Sequence, residues 1–131
     1  MASTESDLRS PLGRARGLGS AKLGVHHWWI ERLTAIALVP LTVWFVLSLL
    51  HLRGAAYPDF LAWVASPLNA TALILFIAVG VHHGALGAQV VIEDYVVGHG
   101  ARTIWVIATR FFCYGLGALA ILSTLIVTLG R

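Results

Sequence analysis

The sequence predicts an all-α integral membrane protein with three transmembrane helices, and two observations carry that prediction. Three runs, 33–52, 68–92 and 104–129, are apolar and nearly free of charge. Each is long enough to cross about 30 Å of hydrocarbon at roughly 1.5 Å of rise per residue. The chain as a whole is 58% apolar and 11% charged, with a mean hydropathy of +0.82, whereas a soluble domain carries charge on about a quarter of its residues. At 131 residues there is no room for a large soluble insertion, so the helices themselves are the domain.

Taken in order, 1–24 is rich in Ser, Gly and Arg, contains Pro11 and shows no apolar periodicity. A mobile cytoplasmic arm is expected there, followed by an anchor domain over 25–131. Its cations suggest neither a nucleic-acid tail nor a signal peptide. A signal peptide places its apolar stretch in the first 15–30 residues or so, and here that stretch begins only at Leu33. The arm is therefore expected to stay uncleaved. Just before the first span stands His26-His27-Trp28-Trp29, and the paired indoles suit the headgroup level, where half of each ring is wet.

The first span is bracketed by Arg32 and Arg53 and contains Pro40, which removes one backbone hydrogen bond. Residues 53–67 hold Gly54, Pro58, Asp59, Ser66 and Pro67, a turn-forming composition around a short interfacial helix expected at 59–65. The second span has 25 uncharged residues. A polar loop with Gly98, His99 and Gly100 leads to the third, whose one charge, Arg110, can snorkel to the headgroups. Cys113 is the single cysteine, so neither a disulfide nor a cysteine-ligated metal can form within the chain. Basic residues accumulate in cytoplasmic flanks. Arg9, Arg14, Arg16, Lys22, Arg32, Arg102 and Arg110 lie on one side against Arg53 and Arg131 on the other. The N-terminus is thus expected in the cytoplasm, with Arg32, Asp94 and Tyr95 at the cytoplasmic face.

Function is sought where polarity interrupts the apolar runs. The second span carries His82-His83-Gly84 and ends in Glu93-Asp94-Tyr95. An ionisable side chain at membrane depth is costly and needs a partner. On a helix, His83, Gly87, Val90 and Asp94 share one face, and Gly87 leaves a gap beside the imidazole. Two partners fit. One is a flat iron-bearing ring, for which neutral imidazole is an axial ligand. The other is a neighbouring helix, drawn close by Gly80, Gly84 and Gly87, to which the histidine is hydrogen-bonded. If the ring is present, a second histidine ligand has to come from another chain. His51 lies at the far end of the first span, His26, His27 and His99 are near the surface, and His82 points about 100° away from His83.

The elements Gly24-Val25-His26, Arg32-Leu33-Thr34-Ala35-Ile36 and His83-x3-Gly87-x6-Asp94-Tyr95 resemble those of the small hydrophobic membrane-anchor subunits of succinate dehydrogenase, respiratory complex II. The resemblance covers about 24–131 and implies a place in the inner membrane of a bacterium. It implies packing with a partner anchor subunit around haem b, with His83 as one axial ligand to the iron and the other ligand supplied by that partner, a cytochrome b556 anchor subunit. It implies that Arg32 and His26 lie near the haem propionates, and that Tyr95 with Asp94 forms part of the site where ubiquinone is reduced. The iron–sulfur and flavoprotein subunits would dock on the cytoplasmic face, passing electrons from succinate oxidation, a step of the tricarboxylic acid cycle, to the quinone. With no flavin motif and no cysteine cluster, the chain is not a catalyst alone. Two other readings stand beside this one: the anchor of a quinol:fumarate reductase, and a structural or assembly membrane protein without a cofactor.

Overall fold

The structure is a computed structural model that describes residues 11–12 and 22–130. From Lys22 onward four helices follow: α1 (Lys22–His51), α2 (Tyr57–Ala65), α3 (Pro67–Tyr95) and α4 (His99–Leu129). No strand occurs among the described residues. Helices α1, α3 and α4 have 30, 29 and 31 residues, roughly 45 Å each, and all three are long and apolar enough to cross a membrane. The chain is a multi-pass membrane protein. The arm expected over 1–24 falls largely outside the described residues.

The turns follow from local chemistry. Gly54 after α1 and Gly98 before α4 have φ of 82° and 100°, values that glycine reaches without a Cβ clash. Pro58 stands in the first turn of α2 and Pro67 in that of α3, where the missing N–H costs no helical hydrogen bond. Asp59 also lies in the first turn of α2, and its carboxylate complements the positive end of the helix dipole.

The helices extend past the runs that charge alone marks out. α1 starts eleven residues before Leu33, and α3 and α4 together reach well into the loop expected over 93–103. Charge limits contact with lipid tails, but a helix satisfies its own backbone and continues into the headgroups.

α3 is the central element. α1 packs along one side of it and α4 along the other, and α1 and α4 do not approach each other. The α1–α3 register is antiparallel: Thr34 meets His83, Leu38 Cδ2 lies 3.8 Å from the Cβ position of Gly80, and Phe45 stacks on Phe76 with centroids 4.7 Å apart. α3 and α4 are closer. A Cβ on Gly117 of α4 would stand 2.9 Å from Val81 Cγ2, so this glycine is what permits the approach. α2 touches α3 and α4, and its Trp63 stacks on Trp44 of α1 at 5.8 Å and 18°.

The interior is small. Among the described residues Val64, Ala70, Ala85 and Leu86 are the buried apolar ones, while Leu33, Ile36 and Phe111 are exposed by 67%, 68% and 79%. In water so much apolar surface would drive association. In a bilayer, lipid tails or partner helices cover it, and helix contact rests on close packing and hydrogen bonds.

Candidate functional site

The two adjacent histidines of α3 are turned about 100° apart by helix geometry, and each finds a different neighbour. His82 turns to α4, where its Nδ1 lies 2.9 Å from Tyr114 Oη. The pair lines an apolar cleft of about 440 Å³ with Val81 and Gly117. His83 turns to α1, where its Nδ1 lies 2.9 Å from Thr34 Oγ1. The same hydroxyl sits 2.9 Å from Ile30 O and 3.0 Å from Glu31 O, carbonyls of its own helix.

The His83 ring borders two grooves along α1. One of about 410 Å³ is lined by Ala35, Leu38, Val39, Thr42 and Val43. The other, of about 290 Å³, is lined by Glu31, Arg32 and Ala35. Among the described residues no buried side-chain nitrogen or oxygen lacks a hydrogen-bond partner, and the only bond to His83 is the one between Thr34 and Nδ1. Nε2 is therefore open to the grooves rather than sealed in protein. A Cβ on Gly84 or Gly87 would meet nothing within 4 Å, so the outer side of α3 around His83 is clear.

Arg32 brings a cation to this site. Its Cζ lies 5.6 Å from the Trp28 ring centroid, and a guanidinium on an aromatic face keeps its in-plane donors for a carboxylate. His26 is exposed and borders neither groove. It precedes Thr34 by eight residues, roughly 12 Å along the axis. His51 follows Thr34 by seventeen, roughly 25 Å in the other direction. With His82 turned to α4, no second imidazole of the described chain faces His83.

Tyr95 and Asp94 end α3 and are exposed, Tyr95 by 81%. Neither borders the His83 grooves. The contact of Thr34 with His83 also fixes where Arg32 stands relative to them: roughly 15 Å deeper along the bundle than Tyr95. The expectation that Arg32, Asp94 and Tyr95 share one membrane face is corrected accordingly. The physical reason is that α1 continues upstream to Lys22, so its end, not Arg32, is level with the end of α3. Arg110 is not left to snorkel alone. Its Nη2 donates to Gln89 Oε1 at 2.5 Å, and Gln89 Nε2 donates to Glu93 Oε1 at 2.6 Å, a polar chain between α4 and α3.

Sequence reasoning missed Thr34, Tyr114 and Gln89. Thr34 lies within the Arg-Leu-Thr-Ala-Ile element, but its pairing with His83 depends on a register between residues 49 apart in sequence. Chemically, the His83 side of α3 offers an imidazole nitrogen without a hydrogen-bond partner and a cation beside it, in a groove that the described residues leave partly open.

Comparisons with known proteins agree with this architecture. The family model described as succinate dehydrogenase/fumarate reductase transmembrane subunit matches residues 6–127. The chain is 33% identical over 108 residues to the succinate dehydrogenase hydrophobic membrane anchor subunit of Rickettsia conorii, covering 82% of this chain and 86% of the relative. It is 32% identical over 121 residues to the protein of the same name from Paracoccus denitrificans, covering 92% and 93%. A succinate dehydrogenase membrane anchor subunit of Reclinomonas americana is 27% identical over 92 residues, 68% of this chain and 77% of the relative. No solved structure matches.

Proposed function

Because this chain belongs to the succinate dehydrogenase/fumarate reductase transmembrane subunit family, we propose that it anchors a succinate:ubiquinone oxidoreductase in a bacterial inner membrane, provides half of a haem b site and contributes to the quinone site. The observation that carries this reading is the His83 ring, held by one nitrogen and open at the other, beside Arg32 in a groove that the described residues leave partly open.

The donor set fits a haem at one end. His83 would hold the iron through Nε2, and a neutral imidazole is suited to that role. Arg32 would pair with a propionate, for which a guanidinium offers a bidentate fork. His26, farther along α1, would take part only through an extended propionate or the quinone region. A second ligand would come from a partner anchor subunit of the cytochrome b556 type, since no other histidine of the described chain both lies level with His83 and faces it. Haem b, when bound, supplies one-electron exchange, and the protein supplies position and electrostatics.

Tyr95 and Asp94 stand at the end of α3, exposed among the described residues. The Tyr95 hydroxyl would donate a hydrogen bond to a quinone carbonyl, and Asp94 would help orient it. The iron–sulfur and flavoprotein subunits would complete that pocket from the cytoplasmic side, in the orientation favoured by the basic flanks.

The complex purified in mild detergent tests this. It should contain these three partner subunits and give a b-type reduced-minus-oxidised spectrum that His83→Ala abolishes. A complex without that spectrum would favour a structural anchor without a cofactor. The family description names fumarate reductase as well, so the second reading is the reverse reaction, quinol oxidation coupled to fumarate reduction. Turnover of the purified complex in each direction separates the two.

A further inference from the structure

Of the two helices that flank α3, α1 gives the His83 ring its one hydrogen-bond partner, and that partner is a hydroxyl with a single proton to donate. Thr34 Oγ1 lies within 3.0 Å of two carbonyl oxygens, Ile30 O and Glu31 O, which can only accept. A helical threonine ordinarily gives its proton to a carbonyl one turn back. The lone pairs of Oγ1 then face His83 Nδ1 at 2.9 Å, and the contact is a bond only if Nδ1 carries the hydrogen. A neutral imidazole protonated at Nδ1 has its lone pair on Nε2.

We propose that Thr34 is the positioning residue of the His83 site: by accepting the Nδ1–H it selects the tautomer whose Nε2 lone pair opens onto the groove, and it fixes the ring's rotation about Cβ–Cγ. This rests on the reading of His83 as an axial ligand. The backbone of α1 extends the hold, because the Thr34 hydroxyl is itself oriented by the carbonyls of Ile30 and Glu31. A hydrogen bond donated from the outer nitrogen makes a ligating imidazole a better electron donor, and such partners are commonly worth about 10–100-fold in metal affinity. Val81 and His82, which face α4, have no part in this hold.

The test uses the whole complex in detergent, with Thr34→Val, which keeps the side chain's shape and removes the acceptor, and Thr34→Ser, which keeps the acceptor. Thr34→Val should lower haem per flavin after extended washing, by about 10-fold or more in affinity, move the haem midpoint potential upward, and alter the low-spin electron paramagnetic resonance signal. Thr34→Ser should restore all three. Wild-type haem content, potential and resonance signal in Thr34→Val would overturn the proposal. Failure of Thr34→Val to assemble with its partners while Thr34→Ser assembles without haem would likewise overturn it, since the role would then be packing. These results are distinct from failure of the parent reading, which would appear as a wild-type complex with no b-type spectrum, or as a His83→Ala complex that keeps it.

Discussion

The two sides of α3 carry neighbouring histidines with opposite surroundings. Toward α4, His82 bonds to Tyr114, Gly117 admits Val81, and Arg110 is tied to Gln89. Each histidine makes one hydrogen bond, through Nδ1, but on this side the ring borders an apolar cleft with no cation in its lining. Toward α1, His83 is held at Nδ1 only, next to Arg32 and beside glycines with open space outside them. Under the proposed function the second side would take an iron at the unbonded nitrogen and an anion at Arg32, whereas the first offers no cation in its cleft. On that reading one helix separates packing chemistry from binding chemistry by a single residue of register.

The largest effect that could break this contrast comes from removing each imidazole in turn. His83→Ala should cost the complex its b-type spectrum, while His82→Ala should retain it; equal loss in both would erase the distinction between the sides. Next comes Gly117→Val, which puts a branched side chain against Val81. Overpacking of this kind costs about 1–3 kcal/mol. It should lower the thermal midpoint of the purified complex at an unchanged haem spectrum, and a spectral change would mean that the α4 side also shapes the haem site. Tyr95→Phe removes one hydrogen bond, worth about 0.5–1.5 kcal/mol, and should slow quinone reduction about 2- to 10-fold. Succinate oxidation by an artificial acceptor should not change, and unaltered quinone turnover would take Tyr95 out of the site. The smallest effect is expected for Tyr114→Phe. Interhelical hydrogen bonds in membranes average about 0.6 kcal/mol, so stability should fall slightly with haem and turnover intact.

Much of the fold was legible from runs of residues alone. The three spans and the short helix before Pro67 follow from length, apolarity and turn-forming residues, all of which are properties of contiguous sequence. Helical spacing along one element placed His83 and Asp94 on a shared face, whereas the part given to Tyr95 came from the resemblance to the family's motif alone. Helix ends were less legible, because charges such as Arg32 mark the limits of lipid contact while the helix runs on to Lys22. Contacts between elements were not legible. The stack of Trp63 on Trp44, the bond from His82 to Tyr114 and the level of Arg32 relative to Tyr95 all depend on how far one helix slides against another.

By itself the sequence determined that this is a three-span membrane protein with polar groups at a few depths, because the cost of burying charge in hydrocarbon is counted residue by residue. Which helix each histidine faces, and that Thr34 meets His83 while Arg32 stands beside it, was decided only by the tertiary structure. A shift of α1 by one residue along α3 would rotate the contacting face by about 100° and present a different side chain to the imidazole, without changing a single feature of the apolar pattern.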